Sequence, residues 1–452
     1  MASSGRPLIH QSAGQHRRAD PRAAGVDPRG PVFISYRQSD GTRLANEIAW
    51  SLRAVGVPVW HDKSDLLPGD TEHRLEQALH SGLSGAALLV TPEIESSHAV
   101  QAVELPLLLE LERNPAFTFS LLSALEREPG KLDYDAPDRL LAQPEGTLKR
   151  LKQQSVRTAQ DRAAAAREQC ERRTRAISGD IRAAGGIITI DVQTRFAPAS
   201  APIDADLVLR LRPPLANERR PNRLALEDLA LSLEALPNLL ALSGARSARF
   251  LGGAHLSVAY ALGASLPTTA IGAVDVIDTA GQSWTLSGNA PVPEAPPRLL
   301  GVDSISSATA GTGPVLVYLD LLPAPSSSAA QALLSRNGNS FAAAYQIRPS
   351  RQGNLNPGEA GTLAGEVSQI IRTLAATHRT REVHLLLRCP WAIALLVGRT
   401  LNTLRIQLYE WEDGPDDEGN ATEPRYLPSL AVRSGTGGSA IEQVLLPAHP
   451  TK

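Results

Sequence analysis

Between positions 31 and 122, short apolar runs alternate with stretches in which apolar residues recur every three or four positions. The first run, VFISY at 32–36, predicts a buried strand. Leu44, Ile48, Leu52 and Val55 then mark one face of a helix that Gly56 closes. VPVW at 57–60 predicts a second strand, and Leu75, Ala78 and Leu79 form the inner face of a second helix capped by Asp70 or Thr71. AALLV at 86–90 is apolar throughout, as a strand covered on both faces should be. A short helix follows, capped by Ser97 and ended or kinked at Pro106, which has no N–H to donate. FTFSLL at 117–122 predicts a fourth strand. This alternation predicts an α/β domain with a parallel, doubly wound sheet.

Residues 145–182 change character, being rich in Ala, Gln, Arg and Glu with ten basic and five acidic side chains. A long exposed helix fits, either as a solvated spacer or as a lever between domains. After Gly185 the strand–helix rhythm returns. IITIDVQT at 187–194 and DLVLRLR at 206–212 predict strands, and 224–242 a helix. ARFLGG at 248–253 leads into the Ala-rich AHLSVAYALG at 254–263. A Gly, Pro and Ser-rich stretch near 290–313 divides the region. Beyond it come strands at 315–322, 383–388 and 405–411, and helices near 359–377 and 392–402. VHLLLRCPWAIALLVG repeats the layout of ARFLGGAHLSVAYALG: apolar strand, tight turn, helix ending in Gly. That pattern predicts an internal duplication.

Length and composition refine this picture. At 452 residues the chain has room for two or three domains. The expected division is a loose tail at 1–30, an α/β domain at 31–142, a helical linker at 143–184 and a duplicated domain at 185–452, with halves at about 185–300 and 313–435. A net charge of −2 excludes a DNA binder working by bulk positive charge. Cys170 and Cys389 lack the spacing of a disulfide framework or zinc site, so no metal is expected and a cytoplasmic setting is the simplest reading. No window approaches the roughly 18–20 apolar residues of a membrane span, so no membrane partner is expected.

Ligands of doubly wound sheets bind beyond the carboxyl ends of the strands. VFISY delivers Tyr36, Arg37, Gln38, Ser39 and Asp40 to that rim, VPVW delivers Trp60, His61 and Asp62, and AALLV leads to the helix bearing Glu104. An arginine, two aromatics and one acid, with no glycine-rich phosphate loop, suit a ligand carrying an aromatic ring, a ribose and a phosphate. The plain alternative is a structural rim. FISYR, HDKSDLLPGD, AALLVTP and SSHAVQAVE together resemble a TIR domain over about 31–130. The resemblance implies a flavodoxin-like fold and cleavage of NAD⁺ at the nicotinamide–ribose bond, with NAD⁺ as substrate and no cofactor. Glu104 matches the family's catalytic glutamate, and Tyr36, Arg37, Ser39, Trp60 and Asp62 are the expected substrate contacts. Members often carry a tryptophan four positions before the glutamate, where this chain has Val100.

DVQTR at 191–195, FLGGAHLSVAYALGASLP at 250–267, and HLLLRCPWAIALLVGRTLN with LYEW at 384–411 resemble a SAVED domain, two fused CARF-like halves that bind cyclic oligonucleotides. By that resemblance Arg195, Gly252, Gly253, His255, Arg388, Cys389, Pro390 and Trp391 are the candidate messenger contacts. At both matched turns, backbone N–H groups at a helix start are suited to phosphates. The whole chain is similar to TIR–SAVED effectors of CBASS antiphage defence. This implies an adenine-containing cyclic trinucleotide as activator and self-association into a head-to-tail filament, in which the loop at 61–69 completes a neighbour's Glu104 pocket. Two alternatives stay open: a TIR domain that only scaffolds assembly, and one that cyclises ADP-ribose.

Overall fold

The computed structural model describes residues 25–60, 78, 82–198, 204–215, 218–266, 269, 271–287, 299–307, 313–324, 326–401, 403–413, 423–434 and 438–447. The first sheet has the order β2-β1-β3-β4-β7, every pair parallel. Its strands are β1 (Val32–Ser35), β2 (Val59–Trp60), β3 (Gly85–Val90), β4 (Thr118–Ser123) and β7 (Gln153–Ser155). A hairpin of β5 (Glu126–Glu128) and β6 (Lys131–Leu132) lies outside it. Helix α1 (Gln38–Val55) covers one face. A helical segment ending in α2 (Leu105–Leu111) covers the other, and α3 (Ala136–Leu140) follows β6. This is the flavodoxin-like strand order, with its ligand edge at the carboxyl ends of β1 and β3. Of the helix expected around Leu75, only Ala78 falls among the described residues, and it is buried.

The segment 145–182 departs from expectation. Its first part turns and then supplies β7, the fifth strand of the sheet; only α4 (Ala159–Ala183) is helical. Thr158 and Asp161 form a reciprocal capping box that fixes where the helix starts. Nor is α4 a solvated spacer. Ala165, Ala166, Cys170, Ile177 and Ile181 are buried in a core shared with the domains on both sides. Alanine contributes so little apolar area that a face built from it reads as polar in sequence. The linker expected at 143–184 is therefore a strand of the first domain followed by a helix packed between the two. The tail also tightens before its expected end. Val26 bridges to Leu83, and Arg29 binds Asp180 and Asp206 at 3.0 Å each.

The second region holds two sheets. One has the order β12-β11-β10-β8-β9, built from β8 (Ile187–Gln193), β9 (Leu207–Arg210), β10 (Ser247–Gly253), β11 (Ala273–Ile277) and β12 (Ser283–Ser287). The other runs β13-β15-β14-β16-β17-β18-β19, from β13 (Leu300–Ser307), β14 (Val315–Asp320), β15 (Ala343–Pro349), β16 (Glu382–Arg388), β17 (Arg405–Glu412), β18 (Arg425–Val432) and β19 (Ile441–Val444). Without its two edge strands, the second sheet repeats the first in order and direction, including the antiparallel final pair. The duplication read from sequence is thus a duplication of topology. The helix expected at 224–242 is two, α5 (Arg223–Leu233) and α6 (Leu236–Ser243), because Pro237 suits the first turn of a new helix. Helices α7 (Leu256–Ala264), α8 (Ser328–Asn337), α9 (Ala360–Thr377) and α10 (Trp391–Thr400) complete the region.

The two halves join where α7 crosses α10. A Cβ on Gly263 would lie 1.8 Å from the Leu395 carbonyl oxygen, and one on Gly398 would lie 2.1 Å from that of Tyr260. The contacts are reciprocal, as a pseudo-twofold crossing of duplicated helices requires. The backbones touch here, so no side chain can yield. We predict that Gly398→Ala lowers stability by about 1–3 kcal/mol. Adding Gly263→Ala should cost less than the sum, because one separation of the helices relieves both clashes. Thermal unfolding of the two single variants and the double variant measures this.

Candidate functional site

Along β1 the side chains alternate: Val32 and Ile34 pack with the α1 core, whereas Phe33 joins the cluster on the opposite face with Val100, Leu105 and Leu108. Ser35 follows Phe33 by two, so it lies on that second face, beneath the segment carrying Glu104. That segment does not stop at Pro106. Residues Val100–Glu104 form a π turn that runs into α2, and Leu105 donates its N–H to the Val100 carbonyl, five residues back. In a regular α-helix the Pro106 ring would meet the carbonyl four residues earlier, and the wider turn relieves this. Val100 is fully buried, so a small aliphatic side chain fills the position where TIR sequences often place tryptophan.

Glu104 is half-buried on the wall of a cleft of about 410 Å³, with Tyr36, Arg37, Ser39, Trp60 and His98 among the lining residues. Ser35 Oγ donates to Glu104 Oε2 at 2.5 Å. The Trp60 and Phe33 rings lie 5.6 Å apart at 36°, giving the cleft an aromatic wall. Arg37 donates through Nε to Ser39 Oγ at 2.6 Å and pairs with Glu93 at 3.4 Å. Exposed pairs of this kind contribute little, so the guanidinium is available to an anionic ligand. Asp40 instead ties the rim together, accepting from Thr91 Oγ1 at 2.9 Å and from the Glu93 N–H at 3.0 Å. Four of the five expected substrate contacts therefore meet around Glu104. Asp62, His61 and the loop 61–69 lie outside the described residues.

The two duplicated turns are less alike in chemistry than in fold. Gly252 has φ +87°, and a Cβ there would lie 2.2 Å from the Val192 carbonyl oxygen, so only glycine fits; Gly253 beside it faces open space. His255, one of the candidate messenger contacts, does not face the turn's open side. It is buried, with Nδ1 at 2.7 Å from Thr194 Oγ1 and Nε2 at 2.9 Å from the Arg219 carbonyl. Burial, reinforced by the charge of Arg195, pushes its pKa down to about 3, so the ring is neutral. Nor is the start of α7 open to a phosphate. Its Ser257 N–H donates to Glu410 Oε1 at 2.8 Å, a buried carboxylate from β17 of the other half. Burial raises the Glu410 pKa, and bonds from Ser257 together with the charge of Arg195 oppose that rise. Arg195 itself is exposed, and Arg219 lies 5.4 Å over the Trp411 ring.

At the second turn, Arg388 donates to buried Asp320 at 2.5 Å and keeps a partly exposed guanidinium. Cys389 is buried, and desolvation pushes its thiol up to about 12, so its side chain is packing rather than a ligand contact. Pro390 is the N-cap of α10, and Trp391 packs half-buried against the core. Within LYEW, the roles of Glu410 and Trp411 were not legible from the sequence. The signal available was a carboxylate, Glu410, set between two aromatic residues, Tyr409 and Trp411.

Residues 32–136 match the TIR domain family, and residues 233–432 match the SAVED family, described as a SMODS-associated sensor domain fused to various effectors. The chain is a TIR–SAVED protein. No curated protein matches it. Solved structures similar to it include the Acinetobacter baumannii Cap4 SAVED/CARF-domain receptor with 2′3′3′-cAAA, at 12% identity over 78% of this chain and 81% of that one, TM-score 0.43. The same receptor with 3′3′3′-cAAA shares 12% identity over 74% and 86%, TM-score 0.44. The Moraxella osloensis Cap4 receptor shares 14% over 78% and 80%, TM-score 0.39. Likeness at that level fixes neither ligand nor activity. Among its described residues the TIR–SAVED chain has no helix long and apolar enough to cross a membrane.

His255 provides a test of the sensor turn. Its unfolded-state pKa is near 6.5 and its folded pKa about 3, so below pH 6.5 the unfolded chain binds the extra proton. Each pH unit of acidification then costs about 1.4 kcal/mol through this residue. We predict that His255→Gln is less stable than wild type at pH 7 and that the gap in melting temperature narrows toward about pH 5.

Proposed function

We propose that this TIR–SAVED protein is a cyclic-oligonucleotide-activated NAD⁺ glycohydrolase of CBASS antiphage defence, working in the bacterial cytoplasm to deplete NAD⁺ and stop growth. The observation that carries this reading is Glu104, held by Ser35 on the wall of a cleft that also presents Arg37, Tyr36 and Trp60. In the reading, the aromatic wall takes the nicotinamide ring and Arg37 takes the pyrophosphate. Glu104 lies beneath the ribose. As the C1′–N bond breaks, its electron pair leaves with nicotinamide, which departs neutral and needs no general acid. Positive charge develops on the sugar, and the carboxylate stabilises it electrostatically. Water adds to C1′ and loses a proton, giving ADP-ribose.

On the sensor side, exposed Arg195, the Arg219–Trp411 stack and partly exposed Arg388 offer cationic and aromatic groups of the kind that suit a phosphate ligand carrying bases. An adenine-containing cyclic trinucleotide, the ligand in the two Acinetobacter structures, is the activator we propose. The shared core between the TIR and SAVED domains argues against an internal hinge as the switch. Gating falls instead to assembly. Head-to-tail stacking of protomers would bring the loop 61–69 of one subunit to the Glu104 cleft of the next, and tethering raises effective concentration to the order of millimolar.

Fluorescence of etheno-NAD⁺ tests this. With 2′3′3′-cAAA or 3′3′3′-cAAA, wild type should turn over and Glu104→Gln should lose activity by at least about 100-fold. Equal rates for the two would favour a scaffold. Chromatography showing cyclised rather than linear ADP-ribose would make the protein a cyclase.

A further inference from the structure

Ser35 contributes more to the cleft than strand packing explains. It is 1% exposed and lies at the end of β1, a central strand of the sheet, where it pairs with Leu88 of β3. Its neighbours on that face are apolar: Phe33 on its own strand and Val100 and Leu105 above. A hydroxyl in such surroundings must find an acceptor to offset its lost hydration. Alanine would fill the space without that demand, as Ala86 and Ala87 do in the adjacent strand β3. The acceptor it meets is Glu104 Oε2, at 2.5 Å.

We infer that Ser35 is a positioning residue for the NAD⁺ cleavage assigned to Glu104, an inference that rests on the glycohydrolase reading. The hydroxyl acts on the carboxylate in two ways. A charge-assisted bond to one oxygen fixes the rotamer of a side chain carried on a π turn. The same bond favours the ionised form, which is the form that stabilises a cationic sugar. Because the donor sits on a central strand and the acceptor on a covering helix, the bond also sets the height of the anion above the sheet.

The test uses the full chain, etheno-NAD⁺, and whichever of 2′3′3′-cAAA and 3′3′3′-cAAA gives wild-type turnover, with rates followed across pH. Ser35→Ala should lower kcat by about 10- to 100-fold with KM little changed, the loss expected for one bond to a charged group. The acidic limb of its pH profile should move upward by about one unit, since the removed donor favoured the carboxylate. Ser35→Cys keeps the volume with a weaker donor and should fall between the two. It also decides the matter if melting shows that Ser35→Ala is unfolded. An unmoved acidic limb in Ser35→Cys or Ser35→Ala, with wild type active and Glu104→Gln dead, overturns the role of Ser35 and leaves the enzyme reading intact. Absence of turnover in wild type overturns both.

Discussion

The bidentate pair between Arg212, just beyond β9, and Glu47 on α1, at 2.8 and 3.1 Å, crosses from the SAVED region to the TIR domain. The same guanidinium holds Asp228 at 2.7 Å and lies 5.7 Å over the Trp50 ring, with Arg53 also 5.0 Å from that ring. Beneath this contact, α4 fills the space between the domains. Its Gln169 reaches Ser120 and the Ala86 carbonyl in the TIR sheet, while Arg173 binds the carbonyls of Asp206 and Arg29. Burial lowers the Arg173 pKa only to about 10, so the guanidinium stays charged. The backbone itself crosses the seam, with Val208 N–H on the Gly56 carbonyl at 2.8 Å. Pulling the domains apart would break the hydrogen bonds of Arg173 and open a continuous apolar core, and the exposed apolar surface alone costs several kcal/mol. A switch that acts within one protomer would have to break these contacts, whereas one that acts between protomers leaves them alone.

The duplicated SAVED halves illustrate how a fold can repeat while its chemistry diverges. Gly253 and Arg388 end equivalent strands, each paired with the last residue of the neighbouring strand, Gln193 in one half and Asp320 in the other. The second half therefore presents an arginine braced by a buried acid where the first presents bare backbone. In exchange, the first half's helix start is capped by Glu410 from the second. That carboxylate is a second tie between the halves, beside the glycine crossing of α7 and α10. The first turn is consequently a structural joint, and Arg195, Arg219 and, in part, Arg388 reach solvent.

Much of the architecture was legible because strands of parallel sheets are apolar on both faces and announce themselves as runs. VFIS, GAALLV, VLVYLD and EVHLLLR all read that way. Among the strands missed are a short one, QQS at β7, a polar edge, LGVDSISS at β13, one interrupted by proline, RYLPSLAV at β18, and two internal strands, AVDVI at β11 and AAYQIRP at β15. In the TIR cleft, Glu104, Tyr36, Arg37, Ser39 and Trp60 converge because strand ends share an edge, and that follows from sequence order. The partner of Glu104 did not, since Ser35 is set by strand alternation against a helix whose π turn depends on relief of strain at Pro106. His255 was misread for a similar reason. Its two partners lie 61 and 36 residues away, and only the fold brings them to the ring.

On this account the anion in the TIR cleft is always present and what changes is how many chains stand together. The most direct measurement is NAD⁺ turnover per subunit at saturating cyclic trinucleotide, followed over a wide range of protein concentration. The account predicts a per-subunit rate that rises steeply from near zero as subunits begin to associate and then levels off. A rate per subunit that stays constant down to dilutions where only single chains exist would contradict it.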